Sequence, residues 1–182
     1  VTYTMIRLST AQQLKDVTGS LNLNDNYINT CIDLAQEKTT QVILGTRLYQ
    51  RMQELVDLND WEQYPIYKGL YDFVTLQLIW QTMGELVFFT TFKTRNAGLA
   101  TTSNEHVVTA TMKDCESMKE NYLANANFYE GRIKAYLCQH CNEIAEYHAN
   151  NNVDEIKPKH SFNSQIFLGG YYDTCRNRRK DR

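Results

Sequence analysis

Proline is nearly missing from this chain, with only Pro65 and Pro158 among 182 residues. Proline breaks helix interiors, so its scarcity leaves room for long helices. No apolar run is long enough to span a bilayer. The most hydrophobic stretch, Leu76–Phe92, is interrupted by Gln77, Gln81 and Glu85, well short of about 18 consecutive apolar residues. Val1–Leu8 is too short and polar for a secretory leader, so no signal peptide is expected. Cysteine is neither dense nor even in number: Cys31, Cys115, Cys138, Cys141 and Cys175. That pattern favours reduced thiols in a cytoplasmic compartment over a disulfide scaffold. Charge of one sign is also lacking, with a net −2 that gives no overall basic bias toward nucleic acid. The catalytic loop motifs Gly-x-Gly-x-x-Gly, P-loop and Gly-x-Ser-x-Gly are all absent. Together these absences argue against a membrane protein and against an enzyme.

What remains is a globular composition, 42% hydrophobic and 22% charged. The charge is unevenly placed. Arg176, Arg178, Arg179, Lys180 and Arg182, opposed by Asp173 and Asp181, leave the last ten residues at +3 and the rest at −5. A basic tail on an acidic body marks an interaction terminus.

Helical periodicity dominates. Ser9 with Gln12 suggests a capping box for a short helix from Thr10 to about Thr18. Asn24 or Asp25 caps a second helix, from about Asn26 to Leu44, which Gly45 ends or bends. Thr46 caps a third, to about Leu58. Pro65 opens the most apolar helix, to about Phe92, with Lys68, Asp72, Thr75 and Thr82 forming a narrow polar stripe. Residues 93–111 read as a long loop or a β-hairpin, because Asn96, Gly98 and Ser103 break the pattern. A long helix is then predicted from Met112 to about Tyr147, roughly 50 Å at 1.5 Å per residue, with a kink possible at Gly131. The fold class is therefore mainly α: a helical bundle over residues 1–152, with an extended C-terminal arm over 153–182.

Candidate chemistry is thin. Cys138-Gln139-His140-Cys141 supplies one half of a zinc site with no second pair, and it sits late in a helix. Both cysteines are expected to pack near the apolar stripe as small hydrophobes. His106, His140, His148 and His160 share no triad-like spacing, and Glu116 with Glu120 is a surface pair. No metal and no cofactor is expected. The basic tail has three readings: a solvated end, a ligand for an acidic protein surface, or a phosphate contact rewarded by counterion release. The arm segment Phe162–Leu168 can add itself to another subunit or fold back on its own bundle.

One set of motifs resembles a known family. Gln41-Val42-Ile43-Leu44-Gly45-Thr46-Arg47-Leu48-Tyr49, the apolar Tyr67–Trp80, Lys93-Thr94-Arg95-Asn96-Ala97-Gly98-Leu99, and the ending Gly169-Gly170-Tyr171-Tyr172 resemble phage head–tail connector proteins. The similar group is that of tailed phages infecting Bacteroidetes, including the neck ring proteins of crAss-like phages. Relatives often carry proline just before the Leu-Gly, where this chain has Val42-Ile43. The resemblance implies a virion protein at the head–tail junction, made in the host cytoplasm. It implies a homo-oligomeric ring, commonly twelvefold, that binds the portal protein and further neck or tail proteins. DNA would pass through its channel without sequence-specific binding. It also places the partner-binding residues on the 93–111 loop and the arm. These are Lys93, Arg95, Asn96 and Gly98 on the first, and Phe162, Ile166, Phe167, Tyr171, Tyr172, Arg176, Arg178, Arg179, Lys180 and Arg182 on the second. The alternative is a helical protein that binds nucleic acid through the basic tail.

Overall fold

A computed structural model describes residues 6–95, 98–101 and 111–148. The architecture is mainly helical. The order is α1 (Ala11–Thr18), α2 (Asp25–Ala35), a π turn (Gln36–Thr40), α3 (Gln41–Leu44), α4 (Thr46–Leu58), α5 (Pro65–Thr91), strands β1 (Phe92–Arg95) and β2 (Gly98–Thr101), α6 (Met112–Gln139), and a 3-10 turn (Ala145–His148). No helix among the described residues is long and apolar enough to cross a membrane.

The N-terminal capping box lies one residue later than predicted. Thr10, not Ser9, caps α1, and Gln13, not Gln12, closes the box. Ser9 is instead buried beside Leu8, which is drawn inward. Asn24 caps α2, its side chain accepting from the Asn26 amide at 2.9 Å. The helix predicted to run on to Leu44 is continuous but passes through the π turn, where the Gln41 amide reaches the Gln36 carbonyl. The spacing accounts for this. Ile28, Ile32, Gln36, Thr40 and Leu44 are all buried and step by four. On a 3.6-residue helix each step of four drifts by about 40°. One wider turn takes up the drift and keeps the row pointed inward.

Gly45 joins α3 to α4 at φ 78° and ψ 156°, a region essentially reserved for glycine. It is therefore Gly45 that stands at the N-cap of α4, with Thr46 already inside the helix. Asn59 closes α4 in the left-handed conformation. Trp61 from the connector stacks on Tyr71 at 4.6 Å, which fixes the start of α5 behind Pro65.

α5 is the central helix, packed between α2 and α6. The predicted polar stripe on it divides between surface and core. Lys68 and Asp72 do form a surface ion pair, but Thr75 and Thr82 are buried, as is Gln77. Thr82 donates to the Leu78 carbonyl at 2.7 Å and Thr40 donates to Gln77 Oε1 at 3.1 Å. Thr82 is satisfied by its own preceding turn, while Gln77 Oε1 is met by Thr40 and Thr75 reaches the Leu8 carbonyl at 3.5 Å, so α5 can be covered on that side too.

α5 and α6 run antiparallel in close contact. Glycines set the approach: Gly69 faces the Tyr136 ring and Gly84 faces Leu123, and an added Cβ would meet those side chains at 2.6 and 3.0 Å. Tyr136 Oη donates across the pair to the Ile66 carbonyl at 2.9 Å. α6 runs unbroken through Gly131 but ends at Gln139, short of the predicted Tyr147. Its 28 residues span about 42 Å rather than 50 Å. The physical reason is a change of period. Cys141, Ile144 and Tyr147 step by threes, and all three are buried by a turn and a 3-10 segment that folds back toward α4. Tyr67 locks this end by donating to Glu146 at 2.7 Å.

Candidate subunit interface

Two unlike surfaces stand out on this scaffold. The first is a cleft of about 360 Å³ at one end of the α5–α6 pair. Its floor is the last turns of α5, with Met83, Leu86 and Val87. One wall is the start of α6, with Cys115, Met118 and Tyr122. The other is the loop from Gly19 to Leu23. The left-handed Gly19 turns the chain out of α1 and puts Leu21 on the lip. Leu21 is 68% exposed and Met118 51% exposed, so the lip is apolar and wet. The α6 wall is held by its own cap. Thr111 Oγ1 and the Thr111 amide both donate to Asp114 Oδ2, at 2.7 and 2.9 Å. Those two bonds hold the Asp114 carboxyl below the usual carboxylate range.

The second surface is the outer face of α6. Ser117, Asn121, Ala124, Phe128, Gly131, Ala135 and Cys138 alternate spacings of four and three, and every one is exposed. No residue in this row is charged. Phe128, 61% exposed, is its one large side chain, flanked by small neighbours. Charged residues stand beside the row. Glu130 pairs with Lys134, and the Arg132 guanidinium lies 5.1 Å from the Phe73 ring. An uncharged row at heptad spacing on a helix is suited to packing against another helix.

Of the residues proposed from sequence to meet partners, three lie on the described backbone. Lys93 and Arg95 are in β1 and Gly98 begins β2, with Lys93 opposite Ala100 and Arg95 opposite Gly98 in an antiparallel register. This strand pair follows α5 directly, at the same end of the bundle as the cleft. Asn96 lies outside the described residues, as do Phe162, Ile166, Phe167, Tyr171, Tyr172, Arg176, Arg178, Arg179, Lys180 and Arg182 and the whole 153–182 arm. The cysteine pair divides: Cys141 is buried as expected, but Cys138 is exposed on the outer face of α6. The helix ends between them, which turns the two side chains to different sides. Among the described residues no group of three His, Cys, Asp or Glu side chains could hold a metal ion.

The outer row of α6 was visible in the sequence as an uncharged heptad pattern, although the expectations above passed over it. The cleft was not, since its three walls come from residues about 70 and 30 positions apart in the chain.

Residues 40–156, more than half of the chain, match the model of a family of unknown function, DUF6712. The chain belongs to that family. The matched segment begins at the end of the π turn and takes in α4, α5, the strand pair and α6, and so contains the outer row and the floor and one wall of the cleft. No curated protein and no solved structure matches the chain.

Proposed function

We propose that this DUF6712 protein is a structural ring subunit of a tailed-phage neck, joining the portal to the tail and extending the DNA channel. The observation that carries the reading is the pair of unlike exposed surfaces. A cyclic ring is built from heterologous contacts, in which each subunit offers two different patches. The cleft beside the strand pair and the uncharged outer row of α6 are two such patches on one rigid helical pair. The motif resemblance at Leu44–Tyr49 and Lys93–Leu99 supplies the virion context. The basic tail would serve as a further contact to portal, sibling or channel DNA.

The test is assembly. The purified chain should sediment as a monomer or weak oligomer alone and form rings when mixed with the portal of its own particle, seen by negative-stain microscopy. Failure to bind portal, together with failure to form rings at high concentration, would sink the proposal. Tight DNA binding with a steep salt dependence, lost on deleting residues 176–182, would favour the nucleic-acid reading instead.

A further inference from the structure

We propose that the cleft between the Gly19–Leu23 loop, α5 and α6 is the receptor for the Phe162–Leu168 segment of a second copy's C-terminal arm. This rests on the ring reading and names the contact that would link one subunit to the next.

The cleft fits a short apolar ligand rather than a broad surface. Its floor of Met83, Leu86 and Val87 is nearly dry, while Leu21 and Met118 at the lip face solvent. Methionine adapts its shape at low cost, so Met83 and Met118 suit an inserted side chain. Phe162, Ile166, Phe167 and Leu168 offer four apolar side chains within seven residues, the first set apart from the other three by Asn163, Ser164 and Gln165. A segment of that kind docks by inserting side chains into a groove.

Reach and polarity support the assignment. The described chain ends at His148, in the turn that Tyr67 and Glu146 tie to the start of α5. The cleft floor lies about 20 residues farther along α5, or about 30 Å. Thirteen residues separate His148 from Phe162, enough for about 45 Å when extended. The donor therefore leaves from one end of the subunit and the acceptor lies at the other. Head-to-tail copies need two such unlike elements on each subunit, and the same reach lets the test separate a neighbour's cleft from the arm's own. Carboxylates are in slight excess on the first turns of α6, where Asp114, Glu116 and Glu120 stand among Lys113 and Lys119, and the arm ends in the +3 tail.

Two full-length variants provide the test, Met118→Cys and Ile166→Cys, mixed and oxidised, with linked peptides read by mass spectrometry. The expected product is a dimer joined between positions 118 and 166, its yield rising with concentration and falling at least tenfold when Leu21→Asp is added to the Met118→Cys chain. No 118–166 link in the mixture would overturn the proposal. So would a link that forms in a chain carrying both cysteines but never between chains, because the arm would then occupy its own cleft. Linked dimers with no ring on a portal would leave the cleft assignment standing and defeat the ring reading; rings without the link would do the reverse.

Discussion

Replacing Gln36 by leucine tests the logic of the N-terminal half. Gln36 is fully buried in the π turn. Its Oε1 accepts from the Leu8 amide at 2.7 Å, and its Nε2 donates to the Ile6 carbonyl at 2.9 Å and to Tyr49 Oη at 2.7 Å. Gln53 backs up two of these, donating to the Ile6 carbonyl at 2.8 Å and to Tyr49 Oη at 3.2 Å. In Gln36→Leu the shape is kept and the three bonds are lost. The buried Leu8 amide loses its side-chain acceptor, which costs about 1–3 kcal/mol, and each backed-up bond costs about 0.5 kcal/mol more. The expected total is about 2–4 kcal/mol, or a fall in Tm on the order of 10 °C for a domain of this size. Urea denaturation measures the first, and hydrogen exchange at the Leu8 amide reports the local opening. Gln53→Leu, which leaves the Leu8 bond intact, should cost less than half as much. A loss under about 0.5 kcal/mol in Gln36→Leu, or unchanged protection at Leu8, would refute the claim that this side chain pins the leading segment to the bundle.

Two glycines should respond in opposite directions. Gly131→Ala adds a methyl group where nothing lies within 4 Å and removes a helix-interior glycine, so chemical denaturation should show a gain of about 1 kcal/mol. Gly45→Ala forces a side chain onto φ 78° and should lose about 1–3 kcal/mol in the same assay. Burial first, and the Glu85 carboxylate second, raise the Cys31 thiol to about 11. In the unfolded chain that thiol ionises near 9, so folding stability is full below that pH and drains away between about 9 and 11. The loss is on the order of 2–3 kcal/mol. Cys31→Val should flatten that part of the pH profile, and an unchanged slope would contradict the assignment. Alkylation at pH 8 followed by peptide mapping should label Cys138 at least tenfold faster than Cys31, Cys115 or Cys141, since only Cys138 of the four is exposed.

Much of the helical order was legible because local rules and packing agree there. Asn24 caps, Pro65 opens α5, and Gly45 breaks the chain, each through backbone chemistry that its neighbours do not alter. The misplaced end of α6 has a plain cause, which is that periodicity records burial and not hydrogen-bond pattern. Cys141, Ile144 and Tyr147 continued an apolar rhythm past the real end of α6, since a 3-10 turn and an α-helix both bury every third or fourth residue. Thr75 and Thr82, grouped in the sequence with Lys68 and Asp72 as one polar stripe, are buried: Thr82 bonds the preceding turn and Thr75 reaches the Leu8 carbonyl, a contact no local spacing shows.

The sequence by itself determined a mainly α chain, where four of its helices begin, and an uncharged row along α6, because capping, proline and residue spacing act within a few residues. Tertiary structure alone decided the burial of Gln36 and Gln77, and the cleft. Each depends on segments distant in the chain meeting at one place: Leu8 against Gln36, Thr40 against Gln77, and the Gly19–Leu23 loop against α5 and α6. Contacts of that kind follow from how helices pack, which no local spacing encodes.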